Sequence, residues 1–271
     1  MRTLLLFLLI AMGAFATWWF LQKPSHNRQW ADDVSQMLHA DVNGDRVVLK
    51  NVRNFEWRTE TDYTPRWETR EYDLSQLQTA DLVLSYWMGP KIAHTLVSFG
   101  FADGQYLTFS LEIRKEVGEE FSAWKGFFRQ YEAILVAADE ADIIRTRSNA
   151  RGENVYIYRL AIPPEQLRTL FLAYVEQAQK LEKTPEFYNT LTSNCTTVVF
   201  DIAKRIVPDL PLDYRLLLSG YFAEYAHAQG GLVEGFGYTE LQEKGYIVPR
   251  AKAMQAGENF SEVIRRGVPG M

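Results

Sequence analysis

The chain of 271 residues contains a single cysteine, Cys195, within the stretch YNTLTSNCTTVVFDIAKRI (residues 188–206). One cysteine cannot form an internal disulfide, so this thiol must be core packing, an intermolecular link, a metal ligand or a nucleophile. Ser193 or Asn194 is a suitable N-cap, and the apolar residues that follow recur at helical spacing up to Pro208. The pattern predicts that Cys195 lies in the first turn of a largely buried helix.

A thiol at the start of a helix can be a reactive nucleophile. The unpaired backbone N–H groups and the positive end of the helix dipole lower the pKa of a thiol, and the same N–H groups can hold an oxyanion. A nucleophile and its charge stabiliser would then come from one turn of the chain. The alternative is that Cys195 is a small apolar residue that fills the core, as free cysteines often do.

A histidine and a carboxylate on two predicted strands could complete such a site. Residues 92–101 and 105–114 are rich in β-branched and aromatic types, and the Ala-Asp-Gly sequence at 102–104 predicts a hairpin loop. A three-residue loop places His94 opposite Glu112. A two-residue loop would turn Glu112 to the other face of the sheet.

Cys195, His94 and a polar residue on adjacent antiparallel strands form the constellation of papain-like hydrolases. In that constellation an imidazole takes the proton of the thiol, and a third group fixes the tautomer of the imidazole. The order along this chain, histidine before the polar residue and cysteine last, is the reverse of the common one and indicates a circularly permuted version. Taken alone, a strand histidine is more often structural, and Glu112 in a charged stretch is more often exposed to solvent.

The N-terminal segment indicates the compartment. Residues 3–21, TLLLFLLIAMGAFATWWFL, carry no charge over about the ~20 residues that span a bilayer core. We favour an uncleaved anchor over residues 1–21, because the apolar run continues through Trp18 and Trp19 and interfacial aromatics suit a retained helix end. The alternative is a signal peptide cleaved after Ala16, which would release the protein into the periplasm. The anchor predicts a single-pass inner-membrane protein whose domain faces the periplasm.

One domain is expected after this segment, because the sequence shows no internal repeat, low-complexity tract or long linker. Residues 22–40 are predicted to form a tether with a short helix, and residues 41–271 the cysteine-enzyme domain. The tether would let the domain stand up to a few tens of ångströms from the lipid. Strands are predicted up to residue 162, residues 121–131 are predicted to be partly helical, and 164–181 is predicted to be an amphipathic helix. The fold class is α+β, with an antiparallel sheet and a helix that carries the cysteine.

Charge and residue spacing exclude several partners. A formal net charge of −5 and a pI near 5.5 provide no basic surface for a polyanion, so nucleic acid is not expected as a ligand. The four histidines and the single cysteine show no metal-ligand spacing, and there is no glycine-rich phosphate loop. No metal and no cofactor are therefore expected. The sequence does not indicate an oligomeric state.

Six segments of the chain carry a family resemblance. They are NVRNFEWR (51–58), YDLSQL (72–77), AHTLVSFGF (93–101), LTFSLEIRKE (107–116), FYNTLTSNCTT (187–197) and NFSEVIRRG (259–267). Together they resemble, in order, the bacterial family named after the N-terminal periplasmic domain of Lnb. The similarity is most specific at the AH, SxExR and SNCTT motifs. It implies a cysteine-dependent enzyme of the NlpC/P60 and papain superfamily.

Carried over by position, the resemblance implies that Cys195 is the nucleophile and His94 the general base and acid. Glu112 is our choice for the residue that orients His94, with Ser110 as the alternative. The namesake of the family transfers a fatty acyl chain from the lipid-modified cysteine of a lipoprotein to the amino group of that cysteine. The implied substrate is therefore a lipoprotein or a membrane lipid, attacked at an acyl ester.

Three functions stay open from the sequence. The first is a membrane-anchored acyltransferase or hydrolase that forms an acyl-thioester on Cys195. The second is an amidase or peptidase of the NlpC/P60 type that acts on cell-wall peptides. The third is a non-catalytic binding module in which the thiol is buried packing. An apolar acyl tunnel near the tether would favour the first, a groove lined by charged groups the second, and a large separation of Cys195 from His94 the third.

Five further residues are candidates for contacts with the substrate or an oxyanion. Tyr188 and Asn189 precede the predicted catalytic turn and could orient the substrate or close the oxyanion site, or they could cap the preceding helix. Asn194 directly precedes the predicted nucleophile Cys195. Ser110 lies two residues before the predicted orienting residue Glu112. Arg114 could pair near the orienting carboxylate or bind a lipid phosphate, although a solvent-exposed charge at a strand end is the simpler expectation.

Overall fold

A computed structural model of the chain describes residues 2–120, 122, 125–126, 128–189 and 193–271. In these residues the strands are β1 (His39–Asn43), β2 (Arg46–Arg53), β3 (Glu56–Trp57), β4 (Tyr63–Thr64), β5 (Trp67–Asp73), β6 (Leu77–Tyr86), β7 (Ala93–Phe101), β8 (Tyr106–Arg114), β9 (Glu132–Ala138) and β10 (Asn154–Arg159). The helices are α1 (Arg2–Leu21), α2 (Glu140–Arg145), α3 (Pro164–Lys183), α4 (Cys195–Ala203), α5 (Phe222–Ala228), α6 (Tyr238–Gly245), α7 (Val248–Ala253) and α8 (Phe260–Arg265). The fold is mixed α+β behind an apolar N-terminal helix, as the sequence predicts.

One large sheet organises the domain. Its strand order is β1-β2-β9-β8-β7-β6-β10, and β5 pairs with β2 in addition. The pairings are antiparallel except for that of β2 with β9, which is parallel at Arg53 and Ala138. Strand β7, which carries His94, lies in the interior of the sheet between β6 and β8. The expected helical character of residues 121–131 falls partly on residues outside this description.

The β7–β8 hairpin has the register that a three-residue loop predicts. Leu96 pairs with Ser110, and the backbone N–H of Phe101 donates to the carbonyl of Gln105 at 3.0 Å. Gly104 closes the loop with a φ of +83°, a left-handed conformation that glycine adopts without steric cost. Continued toward the other end of the hairpin, this register places residue 94 opposite residue 112.

Helices cover both faces of the sheet. On one face, the ring of Phe171 in α3 lies 5.2 Å from that of Phe99, and the ring of Tyr174 stacks on Phe109 at 5.1 Å. The other face packs against the C-terminal helices through a cluster that includes Val83, Leu96, Ile134, Ile247 and Ile264. Full burial of such a side chain stabilises the fold by ~1.5–3 kcal/mol. The strands that carry the candidate site are therefore held from both sides.

A buried ionic cluster joins the C-terminal helix to the sheet. Arg265 in α8 donates to Asp81 on β6 at 2.8 Å and to Glu140 at the start of α2 at 2.6 Å. Both carboxylates are completely buried, and Glu140 also accepts from Ser98 at 2.5 Å. Burial acts to raise the pKa of Glu140, but Arg265 and the hydrogen bonds keep that pKa below its usual value. Arg159 also donates to Asp81 at 2.5 Å, so the two buried carboxylates are compensated by two arginines.

The segment predicted to be a tether is fastened to the domain instead. The N–H of Ala31 donates to the carbonyl of Lys115 at 3.0 Å, and the N–H of Val117 donates to the carbonyl of Gln29 at 2.8 Å. The short helix predicted in this region is a single 3-10 turn, Asp32–Val34. These pairings explain the difference, because backbone groups bonded to the chain beyond β8 are not available for a regular helix.

Candidate active site

Cys195 is the first residue of α4, as the sequence predicts, and is 6% exposed. Asn194 is the N-cap: its side-chain oxygen accepts from the N–H groups of Thr196 and Thr197, each at 2.9 Å. Thr197 Oγ1 in turn accepts from the N–H of Asn194 at 2.9 Å, which completes a capping box. The Asn194 side chain therefore fixes the helix start that presents the thiol.

The structure brings His94 and Cys195 together. Their side chains are close enough that each shifts the pKa of the other, and the backbone N–H of Thr95 also stabilises the thiolate. Next to this pair, the hydroxyl oxygens of Thr95 and Thr196 lie 3.0 Å apart, which joins β7 to the first turn of α4. This contact between β7 and α4 holds His94 and Cys195 close together, although they are 101 residues apart in the chain.

Ser110 and Glu112 both contact the imidazole. His94 Nε2 lies 2.7 Å from Ser110 Oγ and 3.2 Å from Glu112 Oε1, and Ser110 Oγ donates to the same carboxylate oxygen at 2.7 Å. The His94 side chain is 13% exposed and that of Glu112 is 19% exposed. From the sequence, either Glu112 or Ser110 was a candidate for orienting His94. In the structure both contact the imidazole: Glu112 supplies the charge, and Ser110 bridges the carboxylate to the ring.

Arg147 contacts the same group of side chains, here called the cluster: Cys195, His94, Ser110 and Glu112. It was not predicted from the sequence. It lies on the π-helical turn Thr146–Ala150, and its Nη2 donates to Glu112 Oε1 at 2.7 Å. Its Nη1 is 3.6 Å from Glu153, which also accepts from Ser85, the residue opposite His94 on β6. The Arg147 side chain is only 6% exposed. No local spacing links position 147 to position 112, so the sequence offered no signal for this contact.

The charges of the cluster favour an ion pair between thiolate and imidazolium. Burial acts to lower the pKa of His94, but the charges of Glu112 and Cys195 outweigh burial and Arg147 and raise that pKa to about 9. Burial acts to raise the pKa of Cys195, but His94 and the Thr95 N–H bring it below its usual value. The pKa of Glu112 stays well below its usual range despite burial, because His94 and Arg147 stabilise the carboxylate. At neutral pH the histidine is protonated and a thiolate is accessible.

Tyr188 lies against the nucleophile. The backbone N–H of Cys195 and the charge of its thiol both affect the pKa of the phenol, which places the phenol beside Cys195. Burial, together with the charges of Cys195 and Glu112, raises the pKa of Tyr188 well above its usual value, so the phenol keeps its proton and stays a hydrogen-bond donor. The backbone of Asn189 pairs with Ser193 at 3.0 and 3.1 Å, which closes the loop before the nucleophile. Residues 190–192 of the SNCTT-containing segment lie outside the described residues.

Arg114 is neither exposed nor part of the cluster. It is 4% exposed, and its guanidinium donates to the carbonyls of Val34 at 3.0 Å and Ser35 at 2.7 Å. Burial lowers the pKa of Arg114 to about 10. The expectation of a solvent-exposed charge at a strand end is wrong because the segment before β1 folds over the end of β8.

A cleft of about 720 Å³ opens beside the cluster. It reaches the cluster through Glu153, whereas Cys195 and His94 are not among its lining residues. Its walls combine aromatic and charged side chains: Tyr86, Trp87, Tyr156, Tyr221, Tyr238, Glu60, Arg151, Glu153 and Glu224. Such a lining suits a polar ligand better than a fatty acyl chain.

Fold and site together define a class: a mixed α+β domain in which a cysteine at a helix N-terminus contacts a histidine and a carboxylate on neighbouring strands. Residues 63–220, more than half of the chain, match the sequence profile of the family described as the Lnb N-terminal periplasmic domain. The chain belongs to this family. Comparison with curated proteins and with solved structures finds no match. The circularly permuted papain-like arrangement therefore stays a prediction.

Family membership suggests the periplasmic domain of a lipoprotein-processing protein. Among the described residues, one helix segment, Leu4–Leu21, is long and apolar enough to cross a membrane. The combination fits a single-pass membrane protein whose domain faces the periplasm.

The state of His94 predicts the pH dependence of the site. His94 must be protonated to donate a proton to a leaving group, so activity is expected to fall as pH rises through about 9. A Glu112→Gln variant removes the main charge that raises the pKa of His94, so this alkaline limb should move to lower pH. The measurement is the initial rate against pH with a soluble thioester or ester.

Glu71→Gln is the matched control, because Glu71 is an exposed carboxylate on β5 with a side chain that is 57% exposed. Its pH profile should coincide with that of the wild type. An alkaline limb that stays in place in Glu112→Gln would contradict the role of Glu112 at His94.

Arg147 is expected to act as a positioning residue for Glu112. In Arg147→Met the carboxylate loses its 2.7 Å donor, and the rate should fall ~10-fold or more because the imidazole is less well oriented. Arg147 also acts to lower the pKa of His94, so the alkaline limb should move to higher pH, opposite to Glu112→Gln. Arg145→Met, at the exposed end of α2, is the control. A lower rate with an unmoved pH profile would indicate a merely structural role.

Proposed function

We propose that the protein is a periplasmic cysteine acyltransferase or hydrolase, anchored in the inner membrane, that forms an acyl-thioester on Cys195. The observation that carries the proposal is the pairing of Cys195 with His94, each of which shifts the pKa of the other, with Glu112 3.2 Å from the imidazole. This arrangement supplies a thiolate for attack and, on the same side, a protonated imidazole for the leaving group. The third hypothesis, a binding module with an inert thiol, does not account for a low thiol pKa beside a protonated histidine.

The reaction would proceed in two halves. The Cys195 thiolate attacks the carbonyl carbon of an ester, and the C–O bond of the resulting tetrahedral adduct breaks as His94 gives its proton to the departing alcohol. The acyl group is then a thioester on sulfur. In the second half an amine or water attacks the thioester while neutral His94 takes the proton, and the thiolate leaves. Glu112 keeps the imidazole oriented and stabilises its positive charge throughout.

The oxyanion of each adduct needs donors near the sulfur. Among the described residues, the backbone N–H of Cys195 and the hydroxyl of Tyr188 are suitable donors, and they lie beside each other. A carbonyl oxygen entering between them would accept from both. The raised pKa of Tyr188 supports this role, because a phenolate would repel the oxyanion.

A lipid or lipoprotein ester is the substrate that the anchor and the family favour. The helix α1 confines enzyme and lipid to one surface, which raises the effective concentration of each for the other. The family chemistry, which moves an acyl chain from an ester to an amine, matches the two half-reactions proposed for Cys195. The permuted papain-like fold is part of the same proposal.

The polar cleft supports a second candidate, an amidase or peptidase that acts on cell-wall peptides. Its charged and aromatic walls adjoin the cluster at Glu153 and could hold a peptide, with the amide carbonyl at Cys195. The same thiolate–imidazolium pair would cleave an amide, with the leaving amine protonated by His94.

Intact-protein mass spectrometry with two substrates tests the proposal. Full-length protein in detergent micelles is incubated with a diacylated lipopeptide or with a cell-wall peptide, and both protein and substrate masses are followed. Acyl mass on the protein together with deacylated or rearranged lipopeptide would support the ester chemistry. Cleavage of the cell-wall peptide alone would replace it with the amidase. No change in either substrate, with a thiol that resists alkylation in the folded protein, would refute both.

A further inference from the structure

Residues 22–31, here called the strap, connect α1 directly to the domain without a free linker. Arg28 Nη2 lies 2.9 Å from Glu132, the first residue of β9, and the N–H of Ser25 donates to the same carboxylate at 3.0 Å. Arg28 Nη1 also donates to Glu116 at 2.9 Å. The Glu132 side chain is only 3% exposed and that of Arg28 is 34% exposed, so this pairing is partly shielded from solvent and is screened less than a fully exposed ion pair.

The strap also contacts β8, the strand that carries the orienting carboxylate Glu112. The guanidinium of Arg114, the last residue of β8, lies 4.5 Å from the ring centre of Trp30. The same guanidinium holds the carbonyls of Val34 and Ser35, just after the strap. Arg114 is two residues beyond Glu112 on β8, a distance of ~7 Å along the strand. The strap is therefore rigidly connected to the neighbourhood of the site.

A turn at residues 128–130, here called the docking turn, contacts the membrane helix. The guanidinium of Arg129 lies 4.6 Å from the ring centre of Trp19, and the ring of Phe128 meets that of Phe15 edge-on at 6.2 Å. Phe15 is six residues before Leu21, the end of α1, so Phe128 lies beside the last two turns of the helix, ~9 Å along its axis from the end. The docking turn leads directly into β9, which holds the strap.

We infer that the folded domain lies directly on the bilayer surface, with the docking turn inserted at the lipid interface and the strap fixing the orientation. The partner surface is that of the membrane crossed by α1. With Leu21 at the edge of the hydrocarbon core, the ring beside Phe15 lies ~9 Å inside the acyl region, and Arg129, beside Trp19, lies ~3 Å inside it, close to the headgroups. An aromatic ring at this depth, followed by an arginine whose head reaches the headgroups, is the pattern of an interfacial anchor.

This placement determines how a lipid would reach the site. Tyr188 is bonded through its backbone N–H to the carbonyl of Tyr131 at 2.9 Å, next to Glu132 and one residue beyond the docking turn. Glu112 is ~7 Å from the strap contact at Arg114. Both sides of the candidate site are thus tied to elements at the interface. An ester near the headgroup level could reach Cys195 while its acyl chains remain in the bilayer.

Fluorescence depth measurement tests the docking turn without reference to catalysis. In full-length protein with Cys195→Ala, Phe128→Cys supplies a unique thiol for an environment-sensitive fluorophore. After reconstitution into vesicles, this probe is expected to emit to the blue and to be quenched by spin labels on headgroups and shallow acyl positions. Asp103→Cys is the matched control, because it lies in the exposed β7–β8 loop, at the end of β8 away from Arg114. That probe should emit as in water and escape quenching.

A water-like, unquenched probe at position 128 would overturn the inference. So would equal quenching at positions 128 and 103, since a domain that tumbles above the bilayer presents both equally. A fold check by thermal unfolding of each labelled protein separates these outcomes from misfolding.

A flexible insertion tests the strap through function, and this arm rests on the proposed acyl chemistry. An eight-residue Gly-Ser insertion between Leu21 and Gln22 leaves the strap bonded to the domain and the docking turn intact, but it removes the short covalent connection by which the strap fixes the domain relative to α1. Turnover of a lipopeptide in vesicles should fall at least ~10-fold, because the site loses its fixed height, while alkylation of Cys195 by a small soluble reagent stays unchanged. The same insertion after Gly257, in an exposed turn, is the control.

The quenching experiment and the insertion experiment can fail independently of each other. If the wild type does not turn over the lipopeptide, the proposed function fails, and the quenching result still decides whether the domain lies on the membrane. If the wild type is active and the insertion at the start of the strap is harmless, fixed orientation by the strap is refuted.

Discussion

Cys195→Ser is expected to lower the rate of acyl transfer or hydrolysis by ~10³-fold or more. In the wild type the thiolate and the protonated His94 stabilise each other, and a serine hydroxyl, whose pKa is far higher than that of a thiol, cannot form the corresponding ion pair with His94. A serine in this position would keep its proton and remain a poor nucleophile. The measurement is the steady-state rate with an ester substrate, together with the protein mass. Wild type should show acyl mass that hydroxylamine removes, and the variant should show none.

A second variant makes this prediction sharper. His94→Ala alone should also lose most of the activity, because the thiol returns toward its ordinary pKa and the leaving group has no proton donor. The double variant Cys195→Ser with His94→Ala should be scarcely worse than either single variant, since the two residues act as a unit. Unchanged thermal stability of Cys195→Ser controls for folding. Losses that multiply, or acyl mass that persists on Cys195→Ser, would show that the two side chains do not form one catalytic pair.

Local chemistry made part of the site predictable from the sequence. Cys195 could be placed in the first turn of a helix because a capping residue and an apolar stripe are local signals. The contact of His94 with Glu112 could be predicted because the length of one loop fixes the register of the hairpin. Both predictions depend on fewer than about twenty consecutive residues, within which propensity and turn geometry decide the structure.

The rest of the cluster could not be predicted, because it depends on contacts between distant segments. Arg147 reaches Glu112 from a π-helical turn, an irregular element that residue periodicity does not indicate. The strap was predicted to be a tether because its contacts join segments that are distant in the sequence: Arg28 pairs with Glu116 and Glu132, and no local pattern indicates this. Arg114 was misjudged for the same reason, because its burial depends on Trp30 of the strap and on the carbonyls of Val34 and Ser35 just after it.

Removal of Arg265 is expected to produce the largest loss of stability. Arg265→Met leaves Glu140 buried without its arginine partner and leaves Asp81 with Arg159 alone, and breaking a buried ion pair in this way costs ~3–5 kcal/mol. The measurement is the free energy of unfolding of the full-length protein in detergent, from urea denaturation. Arg266→Met is a closely matched control, because the adjacent arginine is 60% exposed and pairs only with Glu258 among the salt bridges of the described residues. An exposed pair contributes ~0–1 kcal/mol.

The pH dependence of this loss distinguishes the electrostatic cause from lost packing. In the wild type Glu140 has a lowered pKa, so its ionic contribution is present above the usual carboxyl range and is lost as pH falls through the lowered pKa. In Arg265→Met, Glu140 loses the cation that lowers its pKa and can take up a proton at higher pH, which removes its buried charge. The stability difference between wild type and variant should therefore shrink as pH falls from 7 toward 4. A difference that stays constant over this range would mean that Arg265 acts mainly by filling space against Tyr106, over whose ring its guanidinium lies at 3.8 Å.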